Sequence, residues 1–184
     1  MKNFTFIQKV RNKIRVDKRA LLDISNSAKI VNCSITIRGN GNKLLISDKA
    51  ILRGAVLEIM GNDCVIEIGE GTMIGDKCYL SAKEEGTKLI IREDCGLSRN
   101  VKVMTSDGHP IFQDNVRINP AKDIIIDKHT WIGDNVTILK GVHIGEGCVI
   151  GINSTVVKDI QSKSVAVGNP AKVVKENIEW KAEL

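Results

Sequence analysis

The chain is nearly free of rings, with three Phe, two Trp and one Tyr among 184 residues. A core without aromatics must be filled by stacked aliphatic side chains, and a chain of this length can bury one such core as a single domain. Five cysteines, an odd number with no CxxC pair, argue against a disulfide framework or a cysteine zinc site. The opening MKNFTFIQKV lacks the apolar run of a signal peptide or membrane span, so a soluble protein of the reducing cytoplasm is expected. A basic body is missing too. Residues 1–24 hold seven Lys/Arg against two Asp, which accounts for the whole net charge of +5, and the remainder balances at twenty of each sign. Nucleic acid is therefore not an expected partner.

In that basic segment Ile7, Val10, Ile14 and Leu21 fall at helical spacing, which predicts an amphipathic helical segment over residues 1–23. Its expected role is to cap one end of the core. Such a helix can also lie on a membrane surface, but the cap is the preferred reading.

What the chain does have is a period of six. From residue 126 it reads IDKHTW, IGDNVT, ILKGVH, IGEGCV, IGINST, VVKDIQ without a gap. Position one is always β-branched and aliphatic (Ile126, Ile132, Ile138, Ile144, Ile150, Val156), and position five is small or β-branched (Thr130, Val136, Val142, Cys148, Ser154, Ile160). Six matches neither a helix nor a long alternating strand. It fits very short strands joined by tight turns, with Gly, Asn and Asp supplying the corner conformations. Three hexads then close a triangular coil of 18 residues, and stacked coils bury the apolar ladder. Upstream, residues 39–60 align without gaps to residues 61–82, a repeat of 22 read as one such coil plus a small outward loop. Cys78, Cys95 and Cys148 fall on position five, where a small apolar filler belongs, so they are expected to be structural.

IGDNVTILKGVHIGEGCVIGINSTVVKDI, followed by AVGNPAKVVKE, resembles the hexapeptide-repeat acyltransferases, which fold as left-handed parallel β-helices. The resemblance covers about residues 24–175, and the handedness comes from it, since periodicity does not fix a hand. It implies an all-β chain in three parts. These are the basic segment 1–23, the β-helix 24–168 with a loop protruding near 105–125, and a C-terminal segment 169–184 with a short helix against which Trp180 packs.

Between Val103 and Ile126 the rhythm of six fails, and loops leaving a rigid solenoid are where function tends to sit. There TSDGHPI sets His109 between Gly108, which allows an unusual backbone angle, and Pro110, which fixes the next one. An imidazole titrates ordinarily near pH 6.5, which suits proton abstraction, and Asp107 or a backbone carbonyl could orient the ring. From the residues alone a surface histidine in a proline turn is an equal reading. In family members resembling bacterial capsule and lipopolysaccharide O-acetyltransferases, DGHPI, RIN and DIII occur in this order, as they do here at 107–111, 117–119 and 123–126. The resemblance implies His109 as general base. His129 and His143 read as surface residues. Some proteins with this coil are carbonic anhydrases that hold zinc with three His, two of them a few residues apart. The gaps of 20 and 14 residues here do not reproduce that pairing, and no metal is expected.

The resemblance further implies acetyl-CoA as donor, held along the outside of the coil between subunits of a homotrimer. Lys158, Lys172 and Lys175 would meet its phosphates, and Gly151 and Ile152 would lie along its pantetheine arm or thioester. Trp131, predicted to face outward, would wall the acceptor or acetyl pocket or cover a subunit contact. Arg117 and Asn119 would either contact the acceptor or brace the loop. The expected reaction is direct acetyl transfer to a carbohydrate hydroxyl. A sugar N-acetyltransferase and a non-catalytic β-helical scaffold are the alternatives.

Overall fold

The computed structural model describes residues 4–181. They form a three-faced solenoid of stacked parallel strands, the fold the period of six predicts. The first face runs in order through Lys13–Val16, Ser34–Arg38, Val56–Met60, Tyr79–Lys83, Lys102–Met104, Thr137–Ile138 and Thr155–Val156. The second runs from Leu21–Ile24 to His143–Ile144, and the third from Lys29–Val31 to Val165–Gly168, closed by an antiparallel strand, Ala171–Lys175. Every position-one residue from Ile126 to Val156 is completely buried, and the position-five residues are buried with them. Phe4 is the one aromatic in the core of the described residues. The position-five residues also satisfy corner carbonyls. The thiols of Cys78, Cys95 and Cys148 donate to the carbonyl oxygens of Ser98, Asp127 and Gln161 (3.0, 3.2 and 2.9 Å), and the Thr130 hydroxyl donates to that of Asp127 (2.8 Å).

Corners impose a backbone demand of their own. Between the third and first faces, Asn32, Gly54, Lys77, Asn100, Asn135 and Asn153 all have φ between 56° and 60°. Asn is suited to this left-handed conformation, and the last three link side chain to side chain, Asn100 to Asn135 (2.9 Å) and Asn135 to Asn153 (3.0 Å). Between the second and third faces the left-handed position falls on Lys49, Gly71, Asp94, His129, Gly147 and Lys163 in successive coils, with His129 at φ 53°.

The repeat of 22 has another origin than an outward loop. Partners on the first face lie 21 to 23 residues apart from Lys13 to Lys102, 35 apart from Lys102 to Thr137, and 18 apart from Thr137 to Thr155. In the long coils the extra residues lengthen the strands themselves. Ser34–Arg38, Val56–Met60 and Tyr79–Lys83 have five residues where Thr137–Ile138 has two. Each lengthened strand adds a second inward residue, such as Ile37, Ile59 or Ala82, to the core. The first-to-second corner widens accordingly, through Gly39 and Gly41, then Gly61 and Asp63, then Glu84 and Gly86, all at positive φ. The 105–123 loop leaves at this same corner one coil later.

Both ends differ from expectation. Among the described residues of the basic segment 1–23 only Phe6–Arg11 is helical, capped by Thr5 and Gln8, while Lys13–Val16 and Leu21–Ile24 are strands of the first coil. Ile14 and Val16 alternate with Lys13 and Arg15, a strand pattern that the wider apolar spacing masks. Phe4 enters the core, the buried Gln8 amide donates to the Ala28 carbonyl (3.1 Å), and Asn12 donates to that of Ile30 (2.8 Å). Residues 4–12 thus pack on the open end of the coil. At the other end no helix forms among the described residues. The β-branched pair Val173 and Val174 extends the third face antiparallel to Val165–Gly168, and Trp180 packs instead on His129.

Candidate active site

The loop begins where its ends are tied, with the Lys122 N–H donating to the Thr105 carbonyl (2.9 Å). Its outer part is a hairpin, Phe112–Gln113 against Val116–Arg117. The two turn residues, Asp114 and Asn115, have φ 49° and 62°, as a type I′ turn requires. Gly108 takes φ 87°, and its N–H donates to Ser106 Oγ (3.0 Å). His109 follows, exposed at the mouth of the loop, and no hydrogen bond reaches its ring among the described residues.

Around it lies a network of charge. Lys140, from the first-to-second corner of the next coil, donates from Nζ to Asp107 Oδ2 and to the Asn119 carbonyl (2.9 Å). On the other side Glu84, from the preceding coil, accepts from Arg117 Nη2 (2.8 Å) and from Ser106 Oγ (2.6 Å). The Lys140 ammonium holds the Asp107 carboxyl below its ordinary value, and the Arg117 guanidinium does the same for Glu84. The side chain of Asn119 bridges the loop from inside, to Asp107, His109 and Ile111. Arg117 and Asn119 therefore brace the loop. Glu84 and Lys140 were not singled out from sequence, and only their placement one coil to either side of the loop could have signalled them.

The other candidates lie elsewhere on the chain. Lys158 is exposed at the corner that carries the loop, one coil beyond Lys140. Trp131 stands outward on the third face, 45% exposed, with its indole Nε1–H donating to Ser98 Oγ (3.3 Å). Its register partner Gly96 leaves room for the ring. Trp180 tilts against it at 6.0 Å and stacks flat on His129 at 4.3 Å. These rings wall a cleft of about 640 Å³ floored by Met73, Gly96 and Leu97. Gly151 and Ile152 sit at the third-to-first corner. A Cβ on Gly151 would come within 2.6 Å of Val167 Cγ1, a packing reason for glycine there, and Ile152 is 67% exposed. Lys172 and Lys175 are exposed on the C-terminal strand. His143 faces outward and bonds Asp127 Oδ2 through Nε2 (2.7 Å). Within one chain, then, His109 and Trp131 occupy different faces. Among the described residues no group of three or more His, Cys, Asp or Glu is arranged to hold a metal ion.

The hexads at residues 123–158 match the bacterial transferase hexapeptide family, described by six repeats. A polysialic acid O-acetyltransferase of Neisseria meningitidis is 39% identical over 160 residues, 85% of this chain and 73% of that protein. The chain belongs to the hexapeptide-repeat transferases. Its fold is that family's left-handed β-helix. A polysialic acid O-acetyltransferase of Escherichia coli O1:K1 / APEC is 41% identical over 144 residues, 72% of this chain. The chain spans 44% of that protein's length. The crystal structure of the polySia-specific acetyltransferase NeuO superposes with a TM-score of 0.73 at 32% identity, covering 95% of this chain and 84% of NeuO.

Proposed function

We propose that this protein is an acetyl-CoA-dependent O-acetyltransferase acting on a hydroxyl of an acidic bacterial surface carbohydrate, with sialic acid polymers the first acceptor to try. One observation carries the reading. An exposed imidazole, His109, stands on a braced loop in a chain whose relatives O-acetylate polysialic acid. The acceptor hydroxyl gives its proton to the free ring nitrogen of His109 as its oxygen attacks the thioester carbonyl. The carbon–sulfur bond then breaks, and the same proton passes to the departing thiolate. No acyl-enzyme is required. All five thiols are buried, and the Ser106 hydroxyl is already given to Glu84.

The donor's phosphates suit Lys158, Lys172 and Lys175, which are exposed and, among the described residues, in no ion pair. The exposed Ile152 offers an apolar surface to the pantetheine arm beside Gly151. Because His109 and Trp131 stand on different faces of one chain, a site that uses both draws them from neighbouring copies, which supports a homotrimer with sites between subunits. The reaction belongs to the cytoplasm, where the donor is made available. The test is an acetyl-transfer assay from acetyl-CoA across neutral and acidic glycans, followed by hydroxylamine treatment of the product. Label on an acidic glycan that hydroxylamine strips is the expected result. Label that resists hydroxylamine would make the product an amide, and no transfer to any glycan would remove the reading.

A further inference from the structure

A proton acceptor works only if it is held, and the ring of His109 has no partner of its own among the described residues. What is held is its backbone. Asn119, 8% exposed, spans the inside of the turn with both ends of its amide. Nδ2 donates to the His109 carbonyl oxygen (2.9 Å) and to Asp107 Oδ2 (2.9 Å), and Oδ1 accepts the Ile111 N–H (2.6 Å). Residues 107, 109 and 111 are thereby gathered on one side chain. Asn119 is itself tied to the solenoid. Lys140, with a side chain only 16% exposed, donates to the Asn119 carbonyl and to the same Asp107 oxygen, and Lys140 is rooted beside the buried Ile138 of the following coil. The chain of contacts runs from the His109 turn through Asn119 to Lys140 and so to a rigid rung of the core.

We propose that Asn119 and Lys140 are positioning residues that clamp the His109 turn to the solenoid and fix where the imidazole stands. The proposal rests on the reading of His109 as the base. The chemistry of the clamp is specific. An amide offers a donor and an acceptor on one planar group, and the turn needs both. Aspartate at 119 keeps the size and the acceptor, but it sets a second carboxylate against Asp107 and leaves the His109 carbonyl without a donor. Methionine at 140 keeps much of the apolar stem and removes the ammonium, which leaves Asp107 unneutralised.

The test compares Asn119→Asp and Lys140→Met with His109→Ala. It reads kcat, KM for acetyl-CoA, the pH profile of kcat/KM and the melting temperature. Both clamp variants are expected to lose roughly ten- to a hundredfold in kcat, the scale of a misplacement near 1 Å. They should keep the KM for acetyl-CoA, the melting temperature and the acid limb of the pH profile, because the base remains but stands in the wrong place. His109→Ala should lose both transfer and that limb. Clamp variants with wild-type kcat, beside an inactive His109→Ala, would overturn the clamp and leave the base standing. Activity retained by His109→Ala would overturn the base and the clamp with it. A fall in melting temperature in both clamp variants that matches their loss of activity would assign the network to folding and overturn the positioning role.

Discussion

At the scale of single residues, burial decides which groups are reactive. Desolvation pushes the Cys78 thiol up to about 11 and the Cys95 thiol up to about 12, and Cys33, Cys64 and Cys148 are raised for the same reason. A thiol reagent at pH 8 should therefore find essentially no reactive cysteine in the native protein and all five after denaturation, counted by absorbance of the released chromophore. Rapid labelling of the native protein would contradict the buried positions. The carboxylates at the loop behave in the opposite sense. Asp107 is held below the ordinary Asp value near 3.9 by Lys140. Its contribution to holding the loop is therefore present above that value and is lost as pH falls through the lower folded one. A carboxyl-carbon NMR titration should show the Asp107 midpoint below the ordinary value and its return upward in Lys140→Met. An unchanged midpoint would mean the pair is not formed in solution.

At the scale of elements, the loop is an addition to a coil that does not need it. The register sets Asp123 opposite Gly141 and Thr105 opposite Lys140, so residues 106–122 are what separates a 35-residue coil from an 18-residue one. Deleting them, with Asp123→Gly to supply the positive φ that Gly141 takes (79°), should leave a cooperative melt and β circular dichroism while abolishing transfer. Loss of folding would show that the loop is part of the scaffold. How much of this could be read beforehand follows from whether each signal is local. The ladder from Ile126 to Val156 is visible because each coil repeats its own residue types every six positions. The lengthened strands around Ile37, Ile59 and Ala82 were not visible, because residues added in pairs inside a strand keep the inward alternation and resemble a loop only in the count. The strand Lys13–Val16 was lost for a related reason: Ile7, Val10 and Ile14 satisfy helical spacing on their own, and pairing with Ser34–Arg38 settles the matter. His109 was legible from its Gly and Pro neighbours. Its supports were not, since Lys140 and Glu84 lie 33 residues from Asp107 and Arg117 in the chain, a separation set by the winding.

At the scale of the whole molecule, the solenoid sets the candidate site residues apart. His109 stands at the corner between the first and second faces, and Trp131 with its cleft stands on the third. If neighbouring copies complete one another's sites, mixing inactive His109→Ala and Trp131→Ala subunits under exchange should restore activity. Random trimers of the two would each hold one intact pairing when mixed, or about a quarter of wild-type sites overall. No recovery would place both residues in the same chain's site. The central step is narrower, the proposed transfer of the acceptor's proton to the His109 imidazole. The most direct measurement is the rate of acetyl transfer from acetyl-CoA to an acidic glycan by folded wild-type and His109→Ala protein across pH 5–9. A loss of about 10²- to 10⁴-fold on substitution is expected, together with disappearance of the acid limb expected of the wild type. Transfer by His109→Ala at a wild-type rate with the same pH profile would contradict it.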